Sequence, residues 1–349
     1  MADEISGMNS GAEQDSGETP WEAAWPKDGL EQVDECPACG DRAREKIYDR
    51  LIDNAFRFAR GEWQMWRCDR CGSGYLDPRP TPEAIGDAYG NYYTHDVEAR
   101  EDFGNLGLIR RVRRLAVNGY KNREFGSRAE PRLALGQILK LLPSFDKSMR
   151  FEYRHLPPRS SGNAKLLDIG CGNGFFLLLA SECGWDVRGV DPDESAVASA
   201  RQKGLDVTVG DVFAVDPREE RFEYITMSHV IEHVHDPIAV MKRVGDLLEI
   251  GGRLWLQTPN FNAPTHASCG SRWRGLEAPR HLCILTFEAL ENLCQAAGLA
   301  ITSTLEKPGV AKDILEISRS LPVAGSPSPL VPLISRGPEF LTIIAERLR

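Results

Sequence analysis

The chain has 349 residues, 42% hydrophobic and 27% charged, with nine cysteines and a formal net charge of −9. That length exceeds any lone small module and suits one large domain with a smaller one; no run approaches the roughly 20 apolar residues of a membrane span. The acidity is local: residues 1–35 hold ten acids against Lys27, and the remaining 314 residues balance at 41 acids and 41 bases, so net charge does not exclude an anionic partner.

Residues 1–35, rich in Gly, Ser, Asp and Glu, lack apolar periodicity and read as a disordered acidic leader. They also lack the basic start and apolar core of an export signal, so a cytoplasmic location with reduced thiols is expected. Close cysteine pairs then read as metal ligands before disulfides.

Residues 36–80 read as a zinc ribbon. Cys36-Pro37-Ala38-Cys39-Gly40 and Cys68-Asp69-Arg70-Cys71-Gly72 are two C-x-x-C-G knuckles separated by 28 residues, with short alternating stretches between them that suit strands. Cys36, Cys39, Cys68 and Cys71 make a closed tetrahedral donor set with no open position, which assigns a Zn2+ to folding rather than to catalysis. Cys171, Cys183, Cys269, Cys283 and Cys294 have no paired spacing and read as small buried or half-buried residues.

Residues 81–160 read as a helical linker or cap. A proline-stiffened exit, Tyr75-Leu76-Asp77-Pro78-Arg79-Pro80, precedes Thr81, which suits the cap of a short helix. Residues 100–160 carry fourteen bases and six acids, which predicts either a solvated linker or a cap that receives an anionic substrate.

From Ala164 strands alternate with helices, the mark of a doubly wound α/β sheet, and residues 161–349 read as one domain. The run 165–169 is a buried strand ending in Gly170-Cys171-Gly172-Asn173-Gly174, and the strand 186–190 ends in Asp191, 21 residues after Gly170. Glycines there let backbone approach a ligand, and the acid suits a ribose diol. The third glycine follows the second by two positions rather than three, which separates this turn from a dinucleotide fingerprint and from a nicotinamide oxidoreductase. Asp168 beside the turn suits an ammonium better than a phosphate.

LLDIGCGNG, GVDPDESAVASAR, VGDVF, ITMSHVIEHVHDP and GGRLWLQTPN, in that order, resemble the motifs of class I S-adenosylmethionine (SAM)-dependent methyltransferases. The resemblance implies that Gly170, Gly172 and Gly174, with Cys171, line the methionine part of SAM. It implies that Asp168 orients the ammonium, Asp191 holds the ribose hydroxyls, Asp211 with Val212 meets the adenine, and Ser228 completes the cofactor-binding set. It further implies a Rossmann-like seven-stranded sheet ending in an antiparallel hairpin, for which 299–305 and 340–345 read as the strands; the long Pro/Ser-rich stretch 318–338 between them then reads as a flexible insertion. The whole chain is similar to a bacterial subgroup in which such a ribbon precedes the methyltransferase domain, with members tied to sugars or secondary metabolites.

For a hydroxyl acceptor, methyl transfer needs alignment and a base. His229, Glu232 and His233 have i, i+3, i+4 spacing, which predicts one helical face. The arrangement resembles that of ubiquinone-pathway O-methyltransferases, where an acid at the position of His229 joins the matching Glu232 and His233 on a divalent ion; His229 departs from that pattern. The segment Ser271-Arg272-Trp273-Arg274-Gly275-Leu276-Glu277-Ala278-Pro279-Arg280-His281-Leu282 is the second source. His281 is the leading base there and His233 the second, with Arg274 or Arg280 open to a substrate anion and a loop-shaping role the alternative for His281. The expected acceptor is a small molecule, most simply a sugar or secondary-metabolite hydroxyl, with sugar C-methylation and ribbon-guided RNA methylation as alternatives. Against RNA, residues 36–99 hold nine bases and eleven acids and no basic stripe.

Overall fold

A computed structural model of the chain describes residues 23–90, 107–159, 162, 164–307, 309–323, 325–327 and 332–348. Most of the expected acidic leader, residues 1–22, lies outside the described residues. Strands β1 (Leu30–Glu31), β2 (Arg44–Leu51), β3 (Trp63–Cys68), β4 (Gly74–Leu76) and β5 (Arg79–Pro80) come first, then helices α1 (Leu108–Glu124) and α2 (Pro143–Glu152). An alternating stretch follows: β6 (Lys165–Ile169), α3 (Phe175–Glu182), β7 (Asp186–Asp191), α4 (Glu194–Gln202), β8 (Asp206–Val209), β9 (Phe222–Ser228), α5 (Pro237–Leu247) and β10 (Leu248–Pro259). The chain closes with α6 (Pro264–Cys269), β11 (Cys283–Ile284), α7 (Phe287–Ala296), β12 (Leu299–Leu305), α8 (Val310–Ser320), β13 (Ser326–Pro327) and β14 (Phe340–Arg347). No described helix is long and apolar enough to cross a membrane.

The chain divides into two compact units. A sheet unit comprises Tyr93–Thr258, Leu290–Pro308 and Phe340–Arg349; a ribbon unit comprises Met1–Tyr92, Pro259–Ala289 and Gly309–Glu339.

The sheet unit is the expected α/β fold. Its seven strands run in the order β12-β14-β10-β9-β6-β7-β8, with β10, β9, β6, β7 and β8 parallel to one another and β12 antiparallel to β14. The chain leaves β6 toward β7 and β8, then returns to the other side of β6 with β9, so the strand order reverses at β6 and opens a crevice beyond the carboxyl ends. The basic stretch expected as a cap is a layer of this unit. Tyr120, Phe125, Met149, Phe151 and Tyr153 from 107–159 enter one core with Leu166, Trp185, Tyr224 and Trp255. Apolar residues recurring along α1 and α2 drive that burial, and Phe125 stacks on Tyr153 at 4.3 Å. Gly119 on α1 meets the next segment so closely that a Cβ would lie 1.9 Å from the Leu133 carbonyl oxygen.

The ribbon unit departs from the expected boundaries. Its five-stranded sheet runs β11-β4-β3-β2-β13, so segments more than 200 residues downstream of the knuckles supply both edge strands. The leader also folds at its end: Trp25 packs edge-on against Trp63 at 5.3 Å, and β1 pairs with β5. Apolar side chains there have a core to enter, which an acidic composition conceals. The expected flexible insertion over 318–338 is tied down where it is described, residues 324 and 328–331 lying outside. Arg67 Nη1 donates to the Pro332 carbonyl (2.9 Å), and Asn260 Nδ2 to those of Arg336 (3.0 Å) and Pro338 (2.7 Å).

His266 sits in the ribbon core, stacked on Trp273 at 4.4 Å. Its Nδ1 meets the Phe261 carbonyl (2.6 Å), which can only accept, so Nδ1 carries the proton and Nε2 accepts from the Tyr48 hydroxyl (2.9 Å). Burial lowers its pKa to about 4. The unfolded chain therefore takes up a proton below pH 6.5 that the native ring refuses, and stability is full above that pH and falls as pH drops toward 4. Between pH 7 and pH 5, urea unfolding should lose about 2 kcal/mol more stability in wild type than in His266→Gln; an unchanged pH dependence in the variant contradicts it.

Candidate functional site

In the sheet unit the glycine turn follows β6, where Gly170 N–H donates to the Val190 carbonyl at 2.8 Å and ties the turn to β7. Gly170, Gly172 and Gly174 have φ of 69°, 53° and 80°. A Cβ on Gly170 would stand 2.4 Å from Val230, and one on Gly174 2.4 Å from Leu205, whereas one on Gly172 would meet nothing within 4 Å. Packing demands the outer two; the middle one presents bare backbone to open space. Asp191, at the tip of β7, accepts the Gly172 N–H on Oδ2 (2.7 Å) and the Asp193 N–H on Oδ1 (2.9 Å), leaving each oxygen a further lone pair. Burial raises its carboxyl pKa, and the two backbone donors oppose that. An open backbone edge beside a carboxylate with spare acceptors fits a polar ligand carrying a diol.

The other expected cofactor residues lie on the same unit. Cys171 is buried in the turn, where burial pushes its thiol pKa up and keeps it protonated. Exposed Asp211 caps the turn 212–214 by accepting the Phe213 N–H at 2.9 Å, and Val212 is buried beneath it. Ser228 ends β9, half-buried. Asp168 has a partner that sequence reasoning missed: its Oδ1 is ion-paired with Arg154 and accepts from Thr226 Oγ1 at 2.7 Å. Lys140 and Arg150, also in the basic segment, pair with Glu124.

The expected helical face at 229–233 does not form. His229 has φ 54°, and only Ile231–His233 make a turn of 3-10 helix, because His229 N–H extends the ladder to the Gln257 carbonyl (2.8 Å). His229 Nδ1 lies 3.2 Å from Glu232 Oε1 and its ring rests on Phe340 at 4.9 Å. Glu232 is fully buried, with Oε2 accepting from Thr258 Oγ1 at 2.9 Å. His233 ends the turn half-buried.

In the ribbon unit the four knuckle cysteines converge. Cys36 and Cys71 sulfurs lie 3.6 Å apart, those of Cys39 and Cys68 3.5 Å, and all four fall within 4.8 Å of one another. Tetrahedral zinc with bonds of about 2.3 Å spaces its sulfurs by about 3.8 Å, so the donors fit. Thr286 Oγ1 donates to the Cys71 carbonyl at 2.6 Å, fastening the second knuckle to the segment after β11.

The loop 271–282 is built into this unit. The expectation that Arg280 is open to a substrate anion is corrected: its guanidinium is 1% exposed, ion-paired with Asp53 and Glu277 and donating to the Ala88 carbonyl at 2.9 Å. Asp53 also accepts the backbone N–H groups of Phe56, Phe58 and Ala59. Arg274 is paired with Glu277 and covers Phe56. His281 is buried with Nδ1 2.7 Å from the Gly275 carbonyl, so Nδ1 carries the proton and Nε2 is the basic nitrogen, 3.7 Å from Glu277 Oε2.

Residues 128–304 match the family described as "Methyltransferase domain". The ubiquinone biosynthesis O-methyltransferase of Bradyrhizobium diazoefficiens is 36% identical over 107 residues, 29% of this chain and 42% of that protein. That of Cereibacter sphaeroides is 33% identical over 147 residues, 39% of this chain and 60% of that protein. The chain thus spans about half the length of the curated relatives it matches. A solved SAM-dependent methyltransferase from Mesorhizobium loti is 19% identical, covering 57% of this chain and 96% of that one at a TM-score of 0.41. Just over half of the residues lie in the matched domain, which holds the glycine turn, Asp168 and Asp191, and the chain belongs to the class I SAM-dependent methyltransferases.

Proposed function

We propose that this chain transfers the methyl group of SAM to a hydroxyl of a small molecule. The observation that carries the proposal is the glycine turn after β6, open at Gly172 and held by the Asp191 carboxylate. When bound, SAM supplies a sulfonium methyl already activated for displacement. The chain's own work is then to hold, align and remove a proton. Asp191 takes the ribose hydroxyls; Gly170, Cys171, Gly172 and Gly174 face the methionine part; Asp211, Val212 and Ser228 border the rest. The relatives' printed name supports an oxygen acceptor. Arg280, Arg274 and Arg154 are each engaged by a carboxylate, which favours an uncharged acceptor over an anionic one.

A hydroxyl acceptor needs a base, and we assign His281, whose Nε2 is left basic by the Nδ1 bond to Gly275. His233 is the second candidate, and His229, already engaged by Glu232, the third. The four knuckle thiolates hold a structural zinc, whose closed donor set keeps it out of the chemistry.

Calorimetry of the zinc-loaded protein should show S-adenosylhomocysteine binding that Asp191→Asn weakens by about tenfold or more; wild-type protein that gives no binding heat overturns the proposal. With methyl-labelled SAM, label should enter a pool of hydroxyl-bearing small metabolites. His281→Gln should slow transfer by roughly 10² to 10⁴ while leaving cofactor affinity and melting temperature in place. A parallel drop in melting temperature would instead make His281 a loop-shaping residue, and loss at His233→Gln alone would move the base there. Elemental analysis should find one zinc per chain, and its chelation should lower the ribbon unit's melting temperature without abolishing homocysteine-adduct binding by the sheet unit.

A further inference from the structure

We propose that Arg154 is a positioning residue for the α-amino-acid end of SAM, acting through Asp168; this rests on the SAM reading above. Asp168, Thr226 and Trp255 occupy one rung across the three adjacent parallel strands β6, β9 and β10. Arg154 reaches this rung from the turn after α2. Arg154 and His155 there both adopt left-handed backbone, φ 45° and 51°, a costly conformation for two residues that are not glycine. The Tyr224 hydroxyl pins the turn by donating to the Arg154 carbonyl at 2.9 Å.

The strained turn aims the guanidinium inward. It lies 4.2 Å above the Phe176 ring and 5.7 Å from that of Trp255, while Nη1 donates to Thr226 Oγ1 at 3.0 Å and to Asp168 Oδ1. Asp168 is wholly buried. Its Oδ1 is satisfied twice over by Arg154 and Thr226, whereas its Oδ2 is buried without a hydrogen-bond partner among the described residues. A buried carboxylate oxygen lacking a donor is a site for one, and the donor that suits it best carries positive charge.

Asp168 stands two residues before Gly170, at the start of the turn that opens at Gly172. An α-ammonium held beside that turn is such a donor. Arg154 fixes the carboxylate's charge and rotamer by occupying Oδ1, so that Oδ2 alone is offered. The pair therefore selects ligands that carry the amino-acid group over those that share only the adenosine and sulfur.

S-adenosylhomocysteine and 5′-methylthioadenosine differ in that group and separate the alternatives. Binding of each would be measured by calorimetry on the zinc-loaded full chain, beside ligand-free melting curves, for wild type, Arg154→Met, Arg154→Lys and the double variant Arg154→Met/Asp168→Asn. Arg154→Met should lose at least about tenfold in homocysteine-adduct affinity and stay within about twofold for methylthioadenosine, with Arg154→Lys recovering much of the loss. The double variant, which strands no charge, should melt near wild type yet still bind S-adenosylhomocysteine weakly. Equal losses for both ligands, or full S-adenosylhomocysteine affinity in the double variant, overturn the proposal alone. Wild-type protein that binds neither ligand overturns the SAM reading and this proposal together.

Discussion

A carboxylate fully removed from water on a central rung of a parallel sheet has to be neutralised where it stands, because the desolvation of an unpaired charge outweighs what a single hydrogen bond returns. Asp168 imposes that condition on the sheet unit. Thr226 on the neighbouring strand supplies a hydroxyl, and Arg154 supplies the countercharge. To deliver Arg154, the chain must bring the end of α2 onto the sheet, and the apolar residues of α1 and α2 do so by entering its core. The basic segment is thus organised around one buried pair. A well-packed apolar pair could hold the sheet at least as firmly, so the ion pair is weak evidence for stability by itself.

The ribbon unit solves a similar problem with different parts. Asp53 is buried, collects three backbone donors from the loop beside it, and meets the buried Arg280 from 227 residues away. Glu277 closes the set by accepting from Arg280 and Arg274. These pairs fix the loop that carries His281, and the Gly275 carbonyl then fixes which nitrogen of that ring is basic. A residue read from sequence as a substrate contact is in this way a support for the histidine next to it.

What was legible in the sequence had local signatures. The knuckles announced themselves by spacing, the strands β6 and β7 by apolar runs ending in glycine or acid, and the terminal hairpin by β12 and β14. What was illegible depended on contacts far apart in the chain. β11 and β13 are two residues each and become strands only by pairing with β4 and β2. Trp25 looked like part of a solvated leader because the core it enters is set by Trp63. The turn at 229–233 looked helical by spacing, yet a ladder bond from His229 to Gln257 kept the first residue, with its φ of 54°, out of it. Arg154 gave no signal, since nothing local distinguishes it from thirteen other bases between 100 and 160.

Net charge was the feature most open to misreading for the same reason. The surplus of bases over 100–160 suggested a surface for anions, but Lys140, Arg150 and Arg154 are turned to carboxylates of their own unit. Counting charges along a chain measures a sum, whereas recognition depends on which charges keep an unsatisfied atom after folding. By that measure Asp168 is an informative group: it contributes one unit to the sum and holds one buried oxygen without a donor among the described residues. On the proposed reading a ligand ammonium would satisfy that oxygen while Arg154 occupies the other one, and the selectivity of the turn would follow from the internal pair rather than from the surface field.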